Sequence, residues 1–145
     1  MLNKLNLENV LFLDIETVPQ VYSYNDVDEK AKELFNSKVR FKLNDTNTYE
    51  DLYNERGGIF AEFGKIVCIS VGFVRDNNME RSIRLKSYYH EDEKTLLNQF
   101  KSLLESHYNS PAHVLCGHNA KEFDFPYICR RMLINGIELP ITLNI

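Results

Sequence analysis

The sequence predicts an α/β fold: a mixed sheet in which an antiparallel meander is joined to a parallel strand, with helices on its faces. Three observations predict it. An apolar run at residues 10–15 reads as a strand buried in mid-sheet, two β-branched segments at about 65–88 read as a hairpin, and two helical periodicities alternate with one more short strand.

Taken in order, Val10-Leu-Phe-Leu-Asp-Ile15 is apolar on both faces, as a central strand is. Between it and the next strand, residues 20–62 form an insertion with amphipathic patches at Ala31, Leu34, Phe35 and at Tyr49, Leu52, Tyr53. Two short helices packed over the sheet are expected there, with Gly57-Gly58 as a turn or hinge. Lys65 to Arg75 (KIVCISVGFVR) is the second strand, Asp76-Asn77-Asn78 supplies turn chemistry, and Arg81 to Tyr88 returns antiparallel. Ile83 and Leu85 alternate there with Arg84 and Lys86, so one face of this arm is expected in solvent near a sheet edge. From Glu91 to Tyr108, Leu96, Leu97, Phe100, Leu103 and Leu104 fall at helical spacing, and Glu91, Asp92 and Glu93 complement the helix dipole. His113 to Gly117 is expected as a short buried strand. Phe123 to Asn135 follows as a helix with Pro126 in its first turn and Gly136 just past its end.

At 145 residues and 17.0 kDa, with 43% hydrophobic residues, a single domain spanning 1–145 is expected. The 17 basic and 21 acidic residues leave a net charge of −4, which argues against a broad basic face for duplex nucleic acid but not against a locally basic cleft. Cys68, Cys116 and Cys129 are odd in number and lack C-x-x-C spacing, so buried free thiols and a reducing, cytoplasmic setting are expected. The apolar run at Val10 to Leu13 is too short for a signal peptide, and no stretch is long enough to span a bilayer.

Asp14 and Glu16 lie two residues apart on the first strand, so their carboxylates share a face with Phe12. Two neighbouring carboxylates repel, and burial makes it worse, so a divalent cation is the natural counter-charge. Most acidic pairs at this spacing are solvated turn or edge residues. This one ends an apolar strand, where open α/β sheets place their ligand sites. A second constellation, GHNAKEFDFPYICRR from Gly117 to Arg131, carries Asn119 and Asp124 across a strand-to-helix turn. If its strand lies parallel and next to the first, Asp124 faces Asp14 and Glu16 and three carboxylates surround one cavity. The alternative is that Asp124 caps its helix and Asn119 closes a turn.

Together, FLDIETVP (Phe12 to Pro19) and HNAKEFDFP (His118 to Pro126) resemble the first two motifs of DEDD-type 3′ to 5′ exonucleases, D-I-E and then N-x-x-x-F-D. They are most similar to predicted exonucleases related to the exonuclease domain of B-family DNA polymerases. GKIVCISV (Gly64 to Val71) also looks like that family's second strand. The resemblance implies a ribonuclease H-like fold and hydrolysis assisted by two divalent metal ions, Mg2+ or Mn2+, roughly 3.5 to 4 Å apart. It implies that Asp14, Glu16 and Asp124 are both catalytic residues and metal ligands, Asp14 bridging the ions and Glu16 orienting the attacking water. Thr17, Asn119 and Phe123 match positions that touch the terminal nucleotides. The implied partner is a single-stranded nucleic acid 3′ end, DNA favoured, with no membrane partner.

The sequence departs from the pattern in one respect. The family's third motif, Y-x-x-x-D or H-x-x-x-D, supplies a fourth carboxylate, yet no aspartate follows Asp124. A C-terminally incomplete domain, inactive or very weak alone, is therefore expected. An RNA exonuclease and a non-catalytic nucleic-acid-binding module on the same fold are the rival functions. His118 is expected at the cavity rim. Lys121, Arg130 and Arg131 are expected on a solvated helix face, phosphate contact being the alternative, and Tyr88-Tyr89-His90 in strand-end packing, base stacking being the alternative.

Overall fold

Strand pairing organises the chain as a four-stranded sheet in the order β3-β2-β1-β4, formed by β1 (Val10–Pro19), β2 (Gly64–Asp76), β3 (Arg81–Tyr89) and β4 (Val114–Cys116). Among the described residues four α-helices accompany it: α1 (Glu29–Val39), α2 (Tyr49–Arg56), α3 (Glu93–His107) and α4 (Asp124–Ile134). The computed structural model describes residues 5–77 and 79–143. The mixed sheet, with one parallel pair and the rest antiparallel, is the α/β arrangement the sequence predicts and accords with a ribonuclease H-like fold. The chain divides into two compact units, Met1–Glu16 with Val67–Ile145, and Thr17–Ile66.

In the first unit β1 does not read as its composition suggests. Leu11, Leu13 and Ile15 are buried, but Phe12, Asp14 and Glu16 alternate with them in solvent, so only one face of this central strand is covered. The strand lies mid-sheet as expected; burial on both faces is corrected. The β2–β3 hairpin runs in unbroken register from Cys68↔Tyr89 to Asp76↔Arg81, and the Arg81 guanidinium closes its end on the Asp76 carboxylate at 2.9 Å. Of the expected turn, Asn78 lies outside the described residues. On β3 only Tyr88 is buried, against Phe100 of α3 with ring centroids 6.4 Å apart. Ile83 and Leu85 are exposed, so this edge strand is solvated on both faces over most of its length.

The short strand expected to be buried is instead an exposed edge. Among the described residues β4 pairs only with β1, and Val114 is 40% exposed. The thiols follow the same logic: Cys116 is exposed and Cys68 and Cys129 are half-buried, so none is the buried free thiol expected.

Helix α3 starts at the Asp92 cap, whose carboxylate accepts from the Thr95 N–H at 2.9 Å. It buries Leu96, Leu97, Phe100 and Leu104 at 0% exposure, and α4 adds Ile128 and Met132. Arg131 corrects the expectation of a solvated helix face. It is 3% exposed, and its Nε donates to Glu93 Oε1 at 2.9 Å while Nη2 donates to Oε2. Asn135 Nδ2 donates to the same Oε2 at 3.0 Å. The forked pair therefore locks α4 to the first turn of α3.

In the second unit, Asp28 caps α1 and the Thr48–Asp51 capping box starts α2. Phe35, Val39, Val27, Leu52 and Tyr53 form its core, with Phe35 edge-on to Tyr53 at 5.1 Å and to Phe63 at 5.3 Å. Gly58 follows α2 in a turn where an added Cβ would come 3.0 Å from the Val18 backbone, a tight approach that the absence of a side chain relieves.

Removing one partner of a buried ion pair strands the other. Arg131→Met is expected to lower unfolding free energy by about 3–5 kcal/mol in urea titrations, and the double variant Glu93→Leu/Arg131→Met by clearly less.

Candidate functional site

Strands β1 and β4 run parallel for only three pairs, Val10↔Val114 to Phe12↔Cys116, and then β4 ends. Gly117 makes the turn possible: a Cβ there would sit 2.7 Å from the Leu13 carbonyl oxygen and 2.7 Å from Ala120 Cβ. Asn119 takes the left-handed conformation at φ 54°, a region asparagine tolerates, and its carbonyl accepts from the Glu122 and Phe123 N–H groups at 3.0 and 3.2 Å. The Ala120 carbonyl then accepts from Phe125 at 2.8 Å, and α4 is under way.

These contacts leave the edge of β1 beyond Phe12 without a strand partner. Leu13 and Ile15 point their main-chain groups to the same edge because strand residues alternate. The carbonyl of Leu13 meets the turn at Gly117, and the Ile15 N–H is accepted by Asp124 Oδ1 at 3.2 Å in a buried bond. An orphaned buried N–H costs about 1–3 kcal/mol, so Asp124 takes over a ladder position that β4 does not reach. Asp124 is therefore not its helix cap. It is the first residue of α4, and the cap position, Phe123, makes no side-chain capping bond.

Asp124 is 4% exposed. Burial pushes its carboxyl above the ordinary value of 3.8, and the nearby charge of Asp14 pushes the same way. Its own N–H, the Ile15 N–H and the charge of His118 act in the opposite sense. Asp14 and Glu16 lie exposed on the open sheet face beside Phe12. That face continues across β2, since a Cβ on Gly72 would lie 3.9 Å from Phe12 Cβ.

The structure thus leaves Asp14 near enough for its charge to raise the Asp124 carboxyl and puts Glu16 two residues on along the same strand face. Among the described residues, however, no three His, Cys, Asp or Glu side chains converge as a metal-holding group. The donor set still suits a divalent cation: hard carboxylate oxygens, one of them buried next to a second anion. Asn119 is exposed, with its backbone closing the turn as the alternative reading had it, and Phe123 is half-buried with its ring 5.4 Å from that of Tyr127. Thr17 belongs to the other unit. Sequence reasoning missed the Ile15 amide and the role of Gly117. A glycine closing a strand just before a motif turn is the signal that could have found the latter.

The family described as DNA polymerase family B, exonuclease domain, matches residues 65–142. That range holds Asn119, Phe123 and Asp124 and begins after Asp14, Glu16 and Thr17. No curated protein matches the chain. No helix among the described residues is long and apolar enough to cross a membrane.

The raised carboxyl sets the sign of a pH effect. Folded Asp124 holds its proton more tightly than unfolded chain does, so the fold loses stability as pH rises through the raised value. Asp124→Asn keeps the acceptor for Ile15 without the charge. In thermal melts with EDTA it is expected to melt above the wild type at neutral pH, the difference shrinking in acid.

Proposed function

Because the chain belongs to the family of exonuclease domains of B-family DNA polymerases, we propose that it removes nucleotides from the 3′ end of single-stranded DNA with the help of divalent metal ions. The observation that carries this reading is the buried bond from Ile15 N–H to Asp124, which fixes one acid beside Asp14 at the carboxyl end of a central strand.

Two ions, Mg2+ or Mn2+, would supply the Lewis acidity that generates a nucleophilic water at neutral pH and steadies the leaving 3′ oxygen. Asp14 would help to hold them. Asp124 has one oxygen committed to the Ile15 amide, and a carboxylate with roughly four acceptor sites has others to give. Glu16, exposed on the same face as Asp14, would help to hold an ion and orient the water. Phe123 packs against the terminal sugar or base, and Asn119 hydrogen-bonds to the terminal nucleotide. Thr17, which directly follows Glu16 in the motif, would contact the terminal nucleotide.

We read residues 1–145 as one exonuclease-like domain with a helical insertion at about 20–62, working in the reducing cytoplasm in keeping with its three free thiols. Turnover by these residues alone is very slow. The only acid after Asp124 is the exposed Glu138, which leaves the water with one orienting carboxylate, Glu16.

The test uses 5′-labelled DNA and RNA single strands at high protein concentration with Mn2+. Slow shortening by single nucleotides from the 3′ end is expected, faster on DNA. EDTA abolishes it, and Asp14→Asn reduces it by about 100-fold or more. Internal cleavage, a preference for RNA, EDTA-resistant loss, or fast digestion would each contradict part of the reading.

A further inference from the structure

On the sheet face opposite Asp14 there is a groove that the proposed reaction does not use. Two cavities of about 530 and 320 Å3 lie between α3 and the β2–β3 hairpin. They share Lys86, Tyr88, Leu103 and His107, so they form one continuous depression. The register fixes its face: Lys86 is opposite Val71 and Tyr88 opposite Ile69, whereas Gly72 and Leu85 belong to the face that carries Phe12 and Asp14.

The groove concentrates cations in a chain whose net charge is −4. The Lys86 ammonium stands at its middle beside the His107 ring, and the Arg75 guanidinium at the smaller end. Among the described residues none of the three joins an ion pair. The cationic heads instead rest on aromatic rings, Lys86 Nζ 4.5 Å from the Tyr88 centroid and the Arg75 guanidinium 5.6 Å from that of Phe73. Arg75 is also near Tyr108, whose phenol is raised by burial and drawn back by the Arg75 charge. Among the described lining residues one is a carboxylate, Glu8, which accepts from the Asp76 N–H at its Oε1 (3.3 Å) and keeps its negative charge at the Arg75 end. Leu103 and the aromatic rings form the apolar walls, and Gln99, Ser102 and Ser106 add neutral hydrogen-bonding groups at the larger end.

Cations outside any ion pair beside a partly apolar lining match a ligand that is anionic at one end and apolar at the other. We propose that this groove binds a nucleotide, its phosphate taken by the cationic ends of Lys86 or Arg75 with a hydrogen bond from His107, and its base or sugar against the half-buried Leu103 and Phe73. The nucleotide is either free or part of a single strand. The proposal does not depend on the carboxylate site, which lies on the other face of the sheet.

The experiment titrates the purified chain, in EDTA, with fluorescein-labelled dT12 and reads anisotropy at several salt concentrations. Arg75→Glu/Lys86→Glu is expected to weaken binding at least tenfold. Arg75→Gln/Lys86→Gln is expected to reduce the salt slope by about 1.4, as losing two phosphate contacts on a single strand should, with an unchanged melting temperature. The same net charge change placed in the other unit, Lys30→Glu/Arg40→Glu, should alter binding less than twofold. Asp14→Asn should leave binding intact, which separates this site from failure or success of the nuclease reading. Competition by dTMP as well as by unlabelled dT12 assigns the groove to free nucleotides, and competition by dT12 alone assigns it to a strand; both support the proposal. If the reversal variant fails to fold, the glutamine pair decides. No binding by the wild type, or equal weakening by the groove and control variants, overturns it.

Discussion

A buried hydrogen bond, from the Ile15 amide to Asp124 Oδ1, is the constraint on which the site depends. It exists because β4 stops after three paired residues while β1 continues, and the exposed ladder edge must be satisfied by something. A carboxylate delivered by the first residue of α4 satisfies it. The same bond places that acid where the charge of Asp14 acts on it, so one contact both completes the sheet edge and creates an electrostatic problem. A divalent cation between the two acids would remove that problem.

Helix α4 is held at both ends. Its first residue is tied to β1, and two to three turns later Arg131 and Asn135 grip Glu93 at the start of α3. The intervening residues Ile128 and Met132 are fully buried, so the position of Asp124 follows from packing along the whole helix rather than from one bond. The sheet face carrying Asp14 and Glu16 stays open because the apolar residues of β1 alternate with them toward the helices.

The alternation that put Asp14 and Glu16 on one face was legible from spacing, and the parallel neighbour of the first strand was legible from the order of elements. Burial was read less well. Val10 to Ile15 is apolar at nearly every position, and composition alone does not say that Phe12 is left at 38% exposure. His113 to Gly117 looks like a core strand for the same reason, yet with one neighbour it is an edge. Arg131 looked like a surface cation because its partner Glu93 is 38 residues away and no local pattern reveals it. A cap role for Asp124 stood as the alternative to a ligand role because caps and ligands use the same residue types at the same place. Only the distance to Ile15 separates the two roles.

The measurement that bears most directly on the account is a Mn2+ titration of the 15N-labelled chain followed by amide line broadening. Broadening is expected first at Ile15 and the residues around Asp14 and Asp124, at sub-stoichiometric metal, and is expected to vanish in Asp14→Asn. Asp124→Asn, which keeps the Ile15 acceptor, should weaken it without shifting the surrounding resonances far. Broadening centred elsewhere, or undiminished when either carboxylate is replaced, would contradict the claim that these two acids hold the cation.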